Sequence, residues 1–488
     1  MASNNFDVII IGAGISGVNA AYRLQESLPD YSYAVLEGRA EMGGTWSLFK
    51  YPGIRSDSDL HTFGFPWDPW KEDRAIADAP SILKYVKTTA ERHGIDKHVK
   101  YQHMVESMNW SSEKQHWQLQ VNVEGAETRT YYARHIMIGT GYYDYNRGLP
   151  ARIPGIENFK GTVVHPQFWP EDLDYANKKV VIVGSGATAV TLLPSMSEKA
   201  ESVTMLQRSP GYFLIVPLTF PIDKVLKAIL PEKWAYQLIR WRFMLLSLFF
   251  FHFCRLFPER GIKALRKTTE KELPPTIQFD KHFVPKYNPW EQRMCITPGG
   301  DFFAALRSGK GNVVTDIIET VTAGGIQLKS GQYLDADIIV TATGLKMQIF
   351  GGIKVNVDGE PFNPGKKFIW RGALLQDLPN FTYVFGYTNA SWTLGADATA
   401  LLWVRLLKQM KKKSMTSVVA RLDEKEGVVE VPLLNLSSTY IKSAAEEGAL
   451  PKAGDRGPWT PRSAYLWDFW HAKFGDIATG LQFYRVSS

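Results

Sequence analysis

Two glycine-rich loops hold the residues whose types and spacing say most about chemistry. The first, Gly12-Ala13-Gly14-Ile15-Ser16-Gly17, lies after the apolar stretch Phe6 to Ile11 and before Val18 to Leu28, where apolar residues recur at helical spacing. Gly12 permits a tight turn, Gly14 lets the backbone approach a pyrophosphate, and Gly17 allows the helix to pack closely with its N-terminus towards the negative charge. The next strand ends in Glu37, 25 residues after Gly12. A carboxylate there accepts hydrogen bonds from a ribose with free hydroxyls, as in FAD or NAD. The second loop, Gly184-Ser185-Gly186-Ala187-Thr188-Ala189, follows Val180 to Val183 and has alanine at the third glycine position. Its next strand ends in a base, Arg208, followed by Ser209. A guanidinium can pair bidentately with a 2′-phosphate, so this second site is expected to take NADPH. A chain that binds FAD first and NADPH second is expected to pass hydride to flavin. The two cysteines, Cys254 and Cys295, form no CxxC pair that could receive electrons, which leaves oxygen as the common remaining acceptor. No His or Cys cluster has metal-ligand spacing, so no metal is expected.

The elements that must position these loops form a near-repeat. Each strand, loop and helix is echoed downstream by an apolar strand ending in a small-Thr-Gly triplet: Gly139-Thr140-Gly141 and Ala342-Thr343-Gly344. At 488 residues the chain exceeds one ordinary core. The expected fold is α/β, with two Rossmann-like dinucleotide-binding domains and a helical insertion. Residues 1–145 begin the FAD domain, 146–213 and 295–344 form the NADPH domain, 214–294 are the insertion, and 345–488 return to complete the FAD domain. The insertion contains an apolar stretch of 12 residues, Phe243 to Cys254, flanked by Arg240, Arg242 and Arg255. It is too short to span a bilayer. A buried or cleft-facing helix is the first reading, and a helix lying on a membrane surface is the alternative. The lysines between Lys408 and Lys413 are expected on a solvated helix face.

Composition adds limits. Hydrophobic content of 45% and charged content of 22% are near globular averages. The net charge of +7, from 56 basic and 49 acidic residues, is a mild excess; phosphate-rich cofactors account for part of it, and nucleic acid is not an expected partner. The N-terminus enters its first strand without a basic segment or cleavage site, and the few cysteines suit a reducing, cytoplasmic location.

A third pattern narrows the chemistry. Phe159-x-Gly161-x-x-x-His165-x-x-x-Trp169-Pro170 resembles the fingerprint of the type I Baeyer-Villiger monooxygenases, and Gly43-Gly44-Thr45-Trp46, Tyr51-Pro52-Gly53 and Asp57 fit a second pattern of that family. Glu171 departs from the Asp or Pro more common after the fingerprint. Sister enzymes that oxidise nitrogen and sulfur generally lack the Trp-Pro pair, so Trp169 and Pro170 favour the Baeyer-Villiger branch. The resemblance covers nearly the whole chain. It implies NADPH- and O2-dependent conversion of ketones to esters or lactones through a flavin C4a-peroxide, with thioether oxidation as a further activity; S- or N-oxygenation as the main task is the alternative. It assigns Arg293 as the cation that stabilises the developing oxyanion and Asp57 as the carboxylate that orients it. Gln292 stands where many members have lysine. The resemblance further places Gly44, Thr45, Trp46, Arg55 and Val105 around FAD. Ser16, Thr188 and Ser209 belong to the cofactor loops. Asn389 and Trp392 are candidates for the substrate wall. Phe159, Gly161, His165, Trp169 and Pro170 are expected to form a linker between the domains, away from the flavin, that couples domain motion to NADPH.

Overall fold

The computed structural model describes residues 4–485 except 388, 435–440, 442–443, 445–447 and 463. The first sheet is parallel around its centre: Val99–Lys100, Tyr33–Leu36, Asn5–Ile11 and Glu127–Ile138 lie side by side, and Phe381–Tyr383 joins beyond them beside Ile136 to Ile138. Asn5–Ile11 shows why its sequence is a continuous apolar run rather than an alternating one. Ile9 and Ile11 enter one core with Trp117 and Phe381, while Val8 and Ile10 enter another with Leu24 and Trp403. Both faces are covered, as a parallel sheet requires. The N-terminal half of Glu127–Ile138 continues into an antiparallel meander with His116–Val123 and His103–Ser111.

The second sheet is wholly parallel, in the order Gly311–Thr315, Ser202–Gln207, Lys179–Val183, Ile338–Thr341, Thr162–Val164. Here too the central strand splits its residues, Val180 and Ile182 to one core, Val181 and Val183 to the other. The C-terminal part of the chain belongs physically to the first sheet: Trp392–Lys413 packs along Ile15–Ser27, fixed by Arg23 Nε donating to the fully buried Asp397 Oδ1 at 2.8 Å. The lysines at the end of this helix are exposed.

The insertion begins and ends on a pair of parallel strands, Phe213–Val216 and Cys295–Pro298. Between them are Pro221–Ile229, Glu232–Leu256 and Pro258–Glu272, followed by the short Phe279–His282. The expectation that the apolar stretch is buried needs correction. Only one face of Glu232–Leu256 is buried, the face that holds Ala235, Ile239, Phe243 and Met244, and the opposite face leaves large apolar side chains in solvent. Helical periodicity in a continuous apolar run does not mark which side is wet.

Two connections join the sheets, and they hold on to each other. The outgoing segment at Tyr142 to Asp144 bridges the returning segment at Lys346 to Gln348: Asp144 N donates to Lys346 O at 2.9 Å, Gln348 N donates to Tyr142 O at 3.0 Å, and Tyr143 pairs with Met347.

Candidate active site

One cleft of about 2060 Å³ runs between the two sheets and is lined by both glycine loops. Single-ligand sites are typically ~300–1,000 Å³, so this space suits two dinucleotides with a substrate. At the first loop Gly12 has φ +98°, and a Cβ there would stand 2.8 Å from Gly139 O; a Cβ on Gly17 would stand 1.9 Å from Gly12 O. At the second, Gly184 has φ +141° with Ala342 O at 2.2 Å from such a Cβ. The two small-Thr-Gly triplets are therefore the surfaces against which the loops turn. Ala189 is fully buried in the second core, the counterpart of Gly17. The helices Ile15–Ser27 and Ala187–Ser197 both begin without a side-chain cap or a first-turn acid, so their amides and dipoles are open to anions in the cleft.

Glu37 is nearly buried. Its Oε2 accepts from Ala13 N at 2.7 Å and its Oε1 from Arg39 N at 2.9 Å; burial raises its proton affinity and these two amides oppose the rise. Each oxygen keeps a lone pair for a ribose hydroxyl, so the first loop fits FAD. Arg39, two residues on, braces the loop by donating to Gly44 O at 3.3 Å and Ser47 Oγ at 2.5 Å. Gly44, Thr45 and Trp46 line the cleft, as does Val105 beside a register shift in its strand. Tyr145, absent from the sequence reading, hydrogen-bonds Thr45 and is half-buried in the cleft wall. Trp392 also lines this side: its Nε1 donates to Ser16 Oγ at 2.9 Å and its ring stacks on Tyr142 at 4.9 Å. Asn389 does not line the cleft, although its neighbour Ala390 does. The tyrosines that follow Gly141 were the available signal for Tyr142 and Tyr145.

At the second loop, Arg208 is exposed into the cleft beside Ser209 and has no ion pair or hydrogen bond among the described residues. A free guanidinium fits the 2′-phosphate of NADPH. Arg55 differs: it pairs with Asp301, at the start of Asp301–Arg307 in the second domain, with Nη2 donating to Oδ1 at 3.4 Å. Its expected service to FAD is thus accompanied by a bond across the domains. The same segment crosses at two more points. Tyr51 hydrogen-bonds Thr188, and a Cβ on Gly53, φ +74°, would stand 1.9 Å from Ser195 Oγ. Tyr51-Pro52-Gly53 is glycine-terminated because the helix Ala187–Ser197 passes against it.

Asp57 and Arg293 line the cleft together, with Arg293 exposed. Burial raises the proton affinity of Asp57, and the positive charges of Arg293 and then Arg55 oppose it. Cys295, behind them, is buried, and its thiol is pushed up to about 12 by burial and then by Asp57. It therefore stays protonated and unreactive.

The fingerprint is not a linker outside the cleft. Thr162–Val164 is the edge strand of the second sheet; Phe159 packs on one face of that sheet and Trp169 on the other, while Pro170 is exposed. A Cβ on Gly161 would stand 2.3 Å from Asp337 O, so glycine is required by close approach. His165 lines the cleft, where its ring lies against Gly148. Its Nδ1 accepts from Gln167 N at 3.2 Å, and Gln167 Nε2 donates to Asp144 O at 2.6 Å, on the outgoing connection. Burial lowers the proton affinity of His165, opposed by the Gly344 backbone on the returning connection.

Comparison with known proteins agrees with this construction. A family profile described as flavin-binding monooxygenase-like matches residues 6–277. FAD-containing monooxygenase EthA of Mycobacterium tuberculosis is 44% identical over 483 residues, covering 99% of this chain and 98% of that protein. Among solved structures, an oxidised steroid monooxygenase bound to NADP superposes with a TM-score of 0.76 at 17% identity, covering 99% of this chain and 100% of that one. The polycyclic ketone monooxygenase of Thermothelomyces thermophila gives 0.77 at 16% identity, covering 99% and 90%. The chain belongs to the flavin-binding monooxygenase-like family.

Proposed function

We propose that this FAD- and NADPH-dependent monooxygenase inserts one atom of O2 beside the carbonyl of a ketone, giving an ester or lactone. The observation that carries the reading is Arg293, a guanidinium exposed in the cleft that both glycine loops line, with Asp57 as its countercharge. Reduced FAD, when bound, supplies the oxygen-activating chemistry. Arg293 stays charged at every working pH and stabilises negative charge that builds on oxygen during transfer to the carbonyl. Asp57 holds that cation in place. Glu37 takes the FAD ribose, the two uncapped helices take the pyrophosphates, and Arg208 takes the 2′-phosphate that sets NADPH above NADH. Two structural neighbours are named for steroid and polycyclic ketone oxidation, which supports a carbonyl substrate. The free cysteines and the need for NADPH support work in the cytoplasm.

Thioethers form a second substrate class, as the family resemblance of the sequence implies. The test is mass analysis of products from the holoenzyme with NADPH and labelled O2, on linear, cyclic and aromatic ketones plus one thioether. Labelled ester is expected. Sulfoxide without ester from any ketone would reverse the order of the two activities.

A further inference from the structure

The outer face of the insertion carries more exposed apolar surface than its own packing explains. Along the 25-residue helix Glu232–Leu256, Trp234, Leu238, Trp241, Leu245, Phe249 and Leu256 are exposed, Phe249 to 69% and Leu256 to 71%. Their spacing of three, four and seven residues puts them in one stripe, about 35 Å long at ~1.5 Å per residue. The opposite face is pinned to the first domain, where Arg240 Nη1 donates to His61 O at 2.7 Å and Gly64 O at 2.8 Å, so the stripe cannot turn inwards. Two neighbouring elements repeat the pattern. Ile222, Val225 and Ile229 are exposed on Pro221–Ile229, which packs beside this helix. Trp467, Trp470 and Phe474 are exposed on Tyr465–Phe474, whose first residue packs with Met244 and hydrogen-bonds Arg240. Single exposed apolar residues are ordinary, but contiguous ones mark a contact surface.

Charge identifies the contact. Residues 221–272 hold eleven lysines and arginines against five acids, a net +6 in a chain whose total is +7. The positive charge is thus concentrated in the segment that carries the stripe. On Pro258–Glu272, Lys263, Lys267 and Lys271 recur every four residues on an exposed face, and none has an ion pair among the described residues. No helix among the described residues is long and apolar enough to cross a membrane. An apolar stripe with tryptophans at the polar boundary and unpaired lysines nearby matches a surface that lies in the headgroup region of an anionic bilayer.

We infer that the helical insertion is a docking surface for an anionic lipid membrane, seated by Trp234 to Leu256 and drawn in by its excess of lysine and arginine. The inference stands apart from the choice between ketone and thioether. Because Arg293, which lines the cleft, stands two residues before Cys295–Pro298, the strand on which this insertion ends, docking would bring the cleft to the phase where apolar substrates concentrate.

The test is co-sedimentation of the full-length holoenzyme with vesicles of phosphatidylcholine alone and of phosphatidylcholine with phosphatidylglycerol. Binding to the anionic vesicles is expected to be at least tenfold stronger and to weaken with salt. A Leu245→Gln/Phe249→Gln/Leu256→Gln variant should lose at least tenfold in binding while keeping its thermal midpoint and its turnover of a small water-soluble ketone. A Lys263→Gln/Lys267→Gln/Lys271→Gln variant should retain its weak affinity for neutral vesicles and show a markedly weaker salt dependence on anionic ones. Equal binding to both vesicle types, undiminished binding by the apolar variant, or no vesicle binding would overturn the inference. A self-association seen by ultracentrifugation, abolished in the apolar variant and unaffected by vesicles, would assign the stripe to a second copy of the chain instead.

Discussion

The guanidinium of Arg208 stands free in the cleft while that of Arg55 is occupied by Asp301, and the difference decides which of them can read a coenzyme phosphate. Arg208→Ala should therefore weaken NADPH by about 1.5–3 kcal/mol, the loss of a charge-assisted contact, and leave NADH almost unchanged. Titration of both coenzymes checks this; equal losses would remove Arg208 from 2′-phosphate recognition. Arg293 makes a different prediction because its proposed role is on the substrate side. Arg293→Ala should abolish ester formation while FAD stays bound and still accepts hydride, since Gly14, Gly17 and Glu37 lie in another part of the chain. Stopped-flow spectra with product analysis separate the two outcomes, and ester formed at the normal rate would exclude the role. Both arginines could be found in the sequence for different reasons. Arg208 follows from the local rule that a strand end meets the ribose, whereas Arg293 was reached by resemblance alone. The bond from Trp392 to Ser16 spans 376 residues, and no local pattern carries such a pairing.

At the scale of elements, the strand, loop and helix units were legible because parallel strands buried on two faces write themselves as apolar runs closed by glycine. The meander of His103–Ser111 and His116–Val123 was less so: each strand alternates with polar residues such as Glu106 and Gln118, and its partner is fixed only by the folded sheet. The segment from Tyr51 to Asp57 shows the same limit. Its pattern was recognisable, but its use as a joint to the second domain depends on Thr188, Ser195 and Asp301. Gly53→Ala tests that joint, because the new methyl group meets Ser195 Oγ and Thr191 O at a backbone angle that disfavours any side chain. Destabilisation of about 1–3 kcal/mol is expected, with slower flavin reduction by NADPH and unchanged FAD content. Pairing it with Ser195→Gly should recover part of the loss. If Gly53→Ala alone leaves both stability and reduction rate intact, the joint is not tight.

The whole molecule responds to acid through histidines that folding keeps neutral. Burial lowers His61 to about 4 and His135 to about 3 from 6.5. Both folded values lie below the unfolded one, so the unfolded chain takes up more protons, and this stability is complete above pH 6.5 and lost as pH falls towards 4 and 3. Half-buried Asp57 and Asp59, raised in the folded state, act in the opposite sense, so the comparison must be with a variant. In His135→Gln the fall of melting temperature below pH 6.5 should be shallower than in the parent; parallel curves would refute the assignment. His165 is proposed to act on motion as well as charge. Hydride transfer needs the nicotinamide over the flavin and oxygen transfer needs the substrate there, so NADP would have to change pose within each cycle, and a moving second domain is one way to do that. The paired connections at Asp144 and Lys346 join the two sheets, so a shift of one sheet against the other would bend there, and His165 reaches them through Gln167 on one side and Gly344 on the other. His165→Ala removes the acceptor for the Gln167 amide and loosens that contact. It should slow flavin reduction and raise the hydrogen peroxide released per NADPH consumed. In the parent the same loss should appear only when pH falls below the lowered pKa of His165, because a protonated ring can no longer accept from Gln167. An acid-base role predicts a moved pH optimum with tight coupling instead. Peroxide and product measured side by side across pH distinguish the two, and coupling that stays tight in the variant at every pH would rule out the hinge.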